Sequence, residues 1–221
     1  MSDALWGPWE YPDISQLDGR FVTIEQINPD RDIENLFSVS HSPPEYQSLF
    51  TFMTFGPFQS KAAMFSWLDQ IADSKDPIYY SVFDKSHNLR VGMVSLLNIV
   101  PAHGRVEIGN IWYSPLAQRT KVNSEVTYLF LKTLFRDWRY RRVEWKCDNE
   151  NVASKRAALR LGFKYEGLFR QHMVVKGKNR DTAWYAVIDT DWPMLEQDFE
   201  AYLSGKLDSL AGVNIQPWVG V

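Results

Sequence analysis

Two short stretches of this chain put polar and basic residues where a loop turns into a helix. The first is Ser114-Pro115-Leu116-Ala117-Gln118-Arg119-Thr120-Lys121-Val122-Asn123-Ser124, and the second is Asp148-Asn149-Glu150-Asn151-Val152-Ala153-Ser154. The first N–H groups of a helix lack intrahelical acceptors, and the helix dipole adds partial positive charge beside them. Such a start attracts anions. Backbone N–H groups from Arg119 to Ser124 are in position to converge on a pyrophosphate, with Arg119 and Lys121 adding charge. Asn151 either caps the second helix or turns its amide to a peptide-like ligand arm. Two such starts side by side suit a long phosphorylated cofactor.

The charge distribution agrees. The chain carries 24 Lys+Arg and 27 Asp+Glu, a net of −3. Between Arg119 and Arg180 stand 16 basic and 6 acidic residues, which leaves 8 basic and 21 acidic elsewhere. A basic half that coincides with two helix starts fits a polyanionic ligand, although solvated helix faces explain Arg136, Arg139, Arg141 and Arg142 equally well. The chain as a whole is acidic and has no helix-turn-helix, zinc-finger or RNP pattern, which argues against nucleic acid. The single cysteine, Cys147, forms neither an internal disulfide nor a cysteine metal cluster and reads as a core thiol. The four histidines (His41, His87, His103, His172) lack metal-ligand spacing, so no metal is expected. Val91–Ala102 is too short to span a bilayer, and no basic leader opens the chain, so a cytoplasmic protein without a membrane partner is expected.

The elements that must hold these junctions follow from periodicity. Residues 1–19 read as an aromatic, Pro-rich arm, with Trp6-Gly7-Pro8-Trp9 at its centre. Phe21–Ile27 alternates as a strand, and Pro29 opens a helix to about Ser40. His41–Phe58 is aromatic loop, and Ser60 caps a helix over Lys61–Ala72. Ile78–Phe83, Val91–Val100 and Arg105–Tyr113 form an antiparallel meander. A helix from about Val122 to Trp138, the strand Arg142–Cys147 and a helix closed by Gly162 follow. Leu168–Val175 and Thr182–Ile188 make a hairpin around Lys176-Gly177-Lys178-Asn179, and Trp192-Pro193 opens a last helix to about Leu203. The order predicts an α/β (α+β) domain over residues 20–192, with a C-terminal helix and tail over 193–221.

Glu107–Tyr113, Gln118–Glu125 and Asn151-Val-Ala-Ser154…Leu161-Gly162-Phe163-Lys-Tyr-Glu166-Gly167 resemble the GNAT N-acetyltransferases, most closely their RimJ/RimL-like branch. The resemblance covers about Arg20 to Trp192. It implies a mixed, mostly antiparallel sheet with flanking helices and a V-shaped splay for acetyl-CoA. The pyrophosphate would lie on Arg119–Ser124 (Arg119, Thr120, Lys121, Val122, Asn123, Ser124), with Gln118 opening the loop. The pantetheine arm would run between the strands near Ile111, Tyr113 and Asn151. Where the family carries two small loop residues, this chain has Lys121 and Asn123, whose side chains must then point outward.

The resemblance further implies transfer of an acetyl group to an amine, on a small molecule or a protein N-terminus, by direct attack with a general base. Glu107, eleven positions before Gln118, matches the spacing of the base glutamate in histone-acetylating members; a solvent-facing or ion-paired glutamate is the other reading. Many members protonate the leaving thiolate with a tyrosine where Ala158 stands here, and RimL-like members carry a serine where Ser154 stands. Ser154 is therefore the candidate acid. RimL-like members also carry a glutamate near Met173, for which the adjacent imidazole of His172 is a substitute. A backbone N–H near Ile111–Tyr113 would face the acyl oxygen. The acceptor site is expected from the aromatic loop and the hairpin, with Tyr46 or Trp184 stacking on a substrate and Asp181 attracting an ammonium. The basic tip Lys176-Gly177-Lys178 would favour an acidic acceptor. The missing glycines and tyrosine leave a silent CoA-binding or protein-interaction module as the alternative, and the arm and tail are available to pack on a second copy as a homodimer.

Overall fold

The computed structural model describes residue 7 and residues 9–210. Trp6, Pro8 and residues 211–221, which entered the expectations for the arm and the tail, lie outside that range.

Eight strands form one sheet: β1 (Gln16–Asp18), β2 (Val22–Gln26), β3 (Ile78–Asp84), β4 (Leu89–Val100), β5 (Arg105–Tyr113), β6 (Arg142–Asp148), β7 (Lys164–Val175) and β8 (Lys178–Ile188). Their order is β1-β2-β3-β4-β5-β6-β8-β7, and all neighbours are antiparallel except β5 and β6. That parallel pair is registered only over Arg105–Glu107 against Arg142–Glu144. Beyond it the two strands part.

Two apolar clusters clamp the sheet. On one face α1 (Pro29–His41) and α2 (Lys61–Ala72) bury Leu36, Met64 and Leu68 beside Met93 and Trp112. On the other, α3 (Val122–Lys132), α4 (Val152–Arg160) and α5 (Trp192–Ser204) pack Val126, Phe130, Ala158 and Phe199 against Val94, Ile108 and Val143. The predicted arm contributes β1, paired with β2, and Trp9, whose indole N–H donates to Arg139 O. The expected boundary after residue 192 falls within α5, whose Trp192, Leu195, Phe199 and Leu203 belong to the same core.

Caps fix the helix starts. Asn28, Ser60 and Asn151 accept from Arg31, Ala63 and Ser154 N–H groups, so α1, α2 and α4 begin with a satisfied turn. The helix expected to reach Trp138 stops being α-helical at Lys132 and ends in a π-helical turn over Thr133–Asp137, where Trp138 N–H bonds Thr133 O. Gly162 ends α4 at φ +88°, where a Cβ would also strike Leu195.

Candidate active site

The parting of β5 and β6 opens a cavity of about 580 Å3. Two bulges shape it. Asn98 in β4 and Asn110 in β5 adopt φ of +50° and +51°, and each inserts one extra residue into its strand. The Asn110 bulge reverses the side-chain phase of β5. Glu107 and Gly109 face the cavity before it, and Trp112 joins the α1–α2 cluster after it. Opposite, the 3₁₀ segment Pro44–Phe50 is pinned by the buried Phe50 ring, which brings Phe52–Thr54 over the cavity. The β7–β8 hairpin closes that side. Its two-residue turn, Lys176-Gly177, has positive φ at both positions, and Lys176 Nζ reaches across to Phe50 O at 2.7 Å.

A row of charged side chains crosses this face. Strand β6 alternates Arg142, Glu144, Lys146 and Asp148 on the cavity side with Val143, Trp145 and Cys147 on the core side. Lys146 Nζ lies 2.8 Å from both Glu107 and Glu144 and 3.9 Å from the Trp184 ring centre. Glu107 also accepts from Asn98 Nδ2 at 2.6 Å. Burial pushes the Glu107 carboxyl above the ordinary carboxylate range, and the opposing pull of Lys146 and Asn98 does not cancel it. Burial acts on Glu144 too, but there Lys146 and Arg142 outweigh it and hold that carboxyl below its usual value. The row therefore sets a carboxyl of raised pKa, Glu107, beside one of lowered pKa, Glu144.

The first turn of α3 differs from the capped helices, because no side chain caps it through the N-cap position. Thr120 Oγ1 takes up the Val122 N–H, and Glu125 N–H bonds Lys121 O. Among the described residues no acceptor meets the N–H groups of Arg119, Thr120, Lys121, Asn123 or Ser124. Arg119 holds φ +61°, which turns the loop. The Lys121 side chain leaves this surface: its Nζ donates to Tyr202 O and Leu203 O at the end of α5 and stands over the Phe21 and Tyr202 rings. Nearby, Arg160 on α4 donates to Ser124 Oγ at 3.0 Å, and burial lowers its affinity for its proton.

Residues 22–164 match the family described as the acetyltransferase (GNAT) domain. The chain belongs to that family. A GCN5-related N-acetyltransferase from Brucella melitensis is 41% identical to it over 91% of this chain and 91% of its own, with a TM-score of 0.88. A Chromobacterium violaceum protein assigned to the GNAT family is 34% identical over 86% of this chain and 94% of its own, with a TM-score of 0.78. A Salmonella typhimurium acetyl transferase that modifies the N-terminal serine of 50S ribosomal subunit protein L7/L12 shares the fold, at 19% identity, 77% and 96% coverage and a TM-score of 0.65. No curated protein matches. The protein is thus an acetyl-CoA-dependent acyltransferase of mixed α/β architecture.

In this GNAT domain the residues singled out by sequence fall into three groups. Glu107, Ile111, Asn151, Ser154, His172 and Trp184 line the cavity together. Ser154 Oγ accepts from Trp145 Nε1 at 3.0 Å, and His172 Nδ1 meets Thr182 Oγ1 at 3.0 Å. Gln118–Ser124 stand outside that lining at the start of α3, with Gln118 Nε2 folded back on Tyr113 O. The Tyr113 hydroxyl is buried in the core, and burial pushes its pKa strongly upward. Tyr46 and Asp181 lie elsewhere. Tyr46 sits half-buried on the 3₁₀ segment, away from the cavity lining, and the Asp181 carboxylate accepts from Gln171 N–H and Asn179 Nδ2, fastening the β7 bulge. Residue type alone carries no direction, and in a hairpin the backbone claimed that acid. Cys147 is buried, and burial raises its thiol pKa. Sequence reasoning missed Lys146 and Arg160. The alternation of Arg142–Asp148 was the available signal for Lys146. Among the described residues no helix is long and apolar enough to cross a membrane, and no cluster is arranged to hold a metal.

Proposed function

We propose that this GNAT protein transfers the acetyl group of acetyl-CoA to the amine of a small molecule or peptide, by direct attack assisted by Glu107. The observation that supports this reading is that β5 links the two parts: buried Glu107 lies on it in the cavity opened where β5 leaves β6, and its C-terminal end leads to the start of α3 with its unpaired N–H groups. The fit to acetyl-CoA rests on the same features. Five N–H groups without acceptors among the described residues suit a pyrophosphate, and the Lys121 side chain, turned to α5, leaves that surface open despite the absence of glycine. Arg119 and Arg160 supply cations beside it, and Asn151 and Ile111 flank the path of the pantetheine arm.

When bound, acetyl-CoA supplies an activated acyl carbon and a thiolate leaving group. The chain's residues do the rest. Glu107, made more basic by burial, removes the proton of the acceptor ammonium, and Lys146 holds the carboxylate in place. Ser154 Oγ accepts from Trp145 Nε1 and its hydroxyl also engages the Cys147 thiol, so its O–H would turn from that sulfur to the departing thiolate. His172 lines the cavity while its Nδ1 engages Thr182.

The test is calorimetric titration with acetyl-CoA, followed by a thiol-release assay over an amine panel. Micromolar binding with turnover of at least one amine is expected; absence of binding would refute the reading. Ser154→Ala is expected to lower kcat about 10- to 100-fold with KM for acetyl-CoA little changed. An unchanged kcat would remove Ser154 from the proton path.

A further inference from the structure

Arg180 stands apart from the other cations on this face. Its Nε donates to Thr182 Oγ1 at 3.1 Å, which draws the guanidinium back along β8 and uses one of its five N–H donors. Lys146 is held by Glu107 and Glu144, Arg105 by Glu144, and Arg142 by Glu144 and Glu166. Among the described residues Arg180 forms no ion pair. Asp148, opposite Thr182 in register, instead accepts the Glu150 N–H at 2.9 Å. His172 meets the same Thr182 hydroxyl, with its ring edge-on to the Phe169–Trp184 pair. Thr182 is fully buried, so it anchors both side chains, and both line the cavity. A guanidinium fixed through Nε, with its outer edge free, is the fork that receives a carboxylate in bidentate fashion.

The ammonium niche on this row is already filled. Lys146 occupies the space between two buried carboxylates and the Trp184 face. A polycationic acceptor therefore meets like charge at Arg180, and the carboxylates on either side of Lys146 are already paired with it. The spacing limits the acceptor as well. Thr182, toward which Arg180 leans, is two residues from Trp184 on β8, about 7 Å along the strand. The Lys176–Phe50 bridge closes that side of the cavity, which favours a small molecule.

We propose that Arg180 and His172 form a subsite for a carboxylate on the acceptor. The substrate class is then small amino carboxylates whose amine and carboxylate lie several bonds apart, an inference that rests on the amine-acetylation reading above. No covalent step is added: the subsite orients the acceptor so that its amine meets Glu107.

The experiment compares kcat/KM for γ-aminobutyrate and ε-aminocaproate with that for the corresponding carboxamides, in wild type, Arg180→Gln and Arg180→Lys. Acetyl-CoA affinity, read by calorimetry on each variant, verifies the fold. Wild type is expected to favour each acid over its amide by about 10- to 100-fold. Arg180→Gln brings that ratio to about 1, and Arg180→Lys, which keeps the charge without the fork, retains part of it. In parallel, ε-aminocaproate is titrated onto the CoA-saturated proteins, which reads carboxylate binding without turnover. A wild-type ratio near 1, a ratio unchanged in Arg180→Gln, or equal titrations would overturn the subsite. Acid binding that Arg180→Gln abolishes, with no turnover of any amine, would sustain the subsite and refute the transfer reading instead.

Discussion

Replacing Glu107 with glutamine lowers kcat by about 100- to 10,000-fold, the range that removal of a general base produces, while acetyl-CoA affinity stays within about twofold. The isosteric amide keeps the shape of the site and its contact with Asn98, so the loss reports the proton acceptor itself. The pH profile separates this role from a structural one. A base works in its deprotonated form, and burial raises the Glu107 pKa above the ordinary carboxylate range. Wild-type kcat/KM therefore falls as pH drops through that raised value, and the limb lies at higher pH than a solvated glutamate would give. Glu107→Gln removes the limb along with most of the rate. A variant that keeps both would show that Glu107 serves only to hold Lys146.

Lys146→Met produces the largest loss of stability. It leaves Glu107 and Glu144, both buried, without the ammonium that stands 2.8 Å from each. Removing one partner from a buried ion pair costs about 3–5 kcal/mol. For a domain of this size that is a fall in Tm of roughly 6–20 °C. The remaining carboxylates push each other's pKa values upward, so the acid limb of the rate profile moves to still higher pH. Adding Glu107→Gln in the same chain recovers most of the Tm, because Glu144 then keeps Arg142 and Arg105 as its partners and no buried charge is left over. Thermal unfolding of the two single variants and the double variant measures this directly. Additive losses would mean that Lys146 and Glu107 are not coupled.

Much of the fold is written as periodicity. The limits of α2 and β5 follow from a serine cap and an alternating run, and both signals are local. β1 escaped because three residues between turn-forming neighbours carry no pattern; only pairing with β2 makes them a strand. The start of β7 escaped for a different reason. It is an edge strand exposed along nearly its whole length, so burial never imposes alternation. The bulges at Asn98 and Asn110 were not legible either, since a left-handed asparagine reads in sequence like any polar strand residue. At the site, both helix starts and the strand glutamate were visible by type and spacing. Direction was not. The sequence offered Lys121 as a phosphate contact, and the carbonyls ending α5 hold it instead. It offered Asp181 to a substrate, and Gln171 and Asn179 hold it. Both outcomes follow from backbone groups that must be satisfied before a ligand arrives.

The most direct measurement is a crystal structure of the protein with CoA bound. Its pyrophosphate is expected on the N–H groups between Arg119 and Ser124, with Arg160 beside it. The thiol is expected in the cavity between β5 and β6, within hydrogen-bond reach of Ser154 Oγ and facing Glu107. A pyrophosphate bound elsewhere, or a start of α3 covered by the Lys121 or Asn123 side chain, would contradict the proposed site.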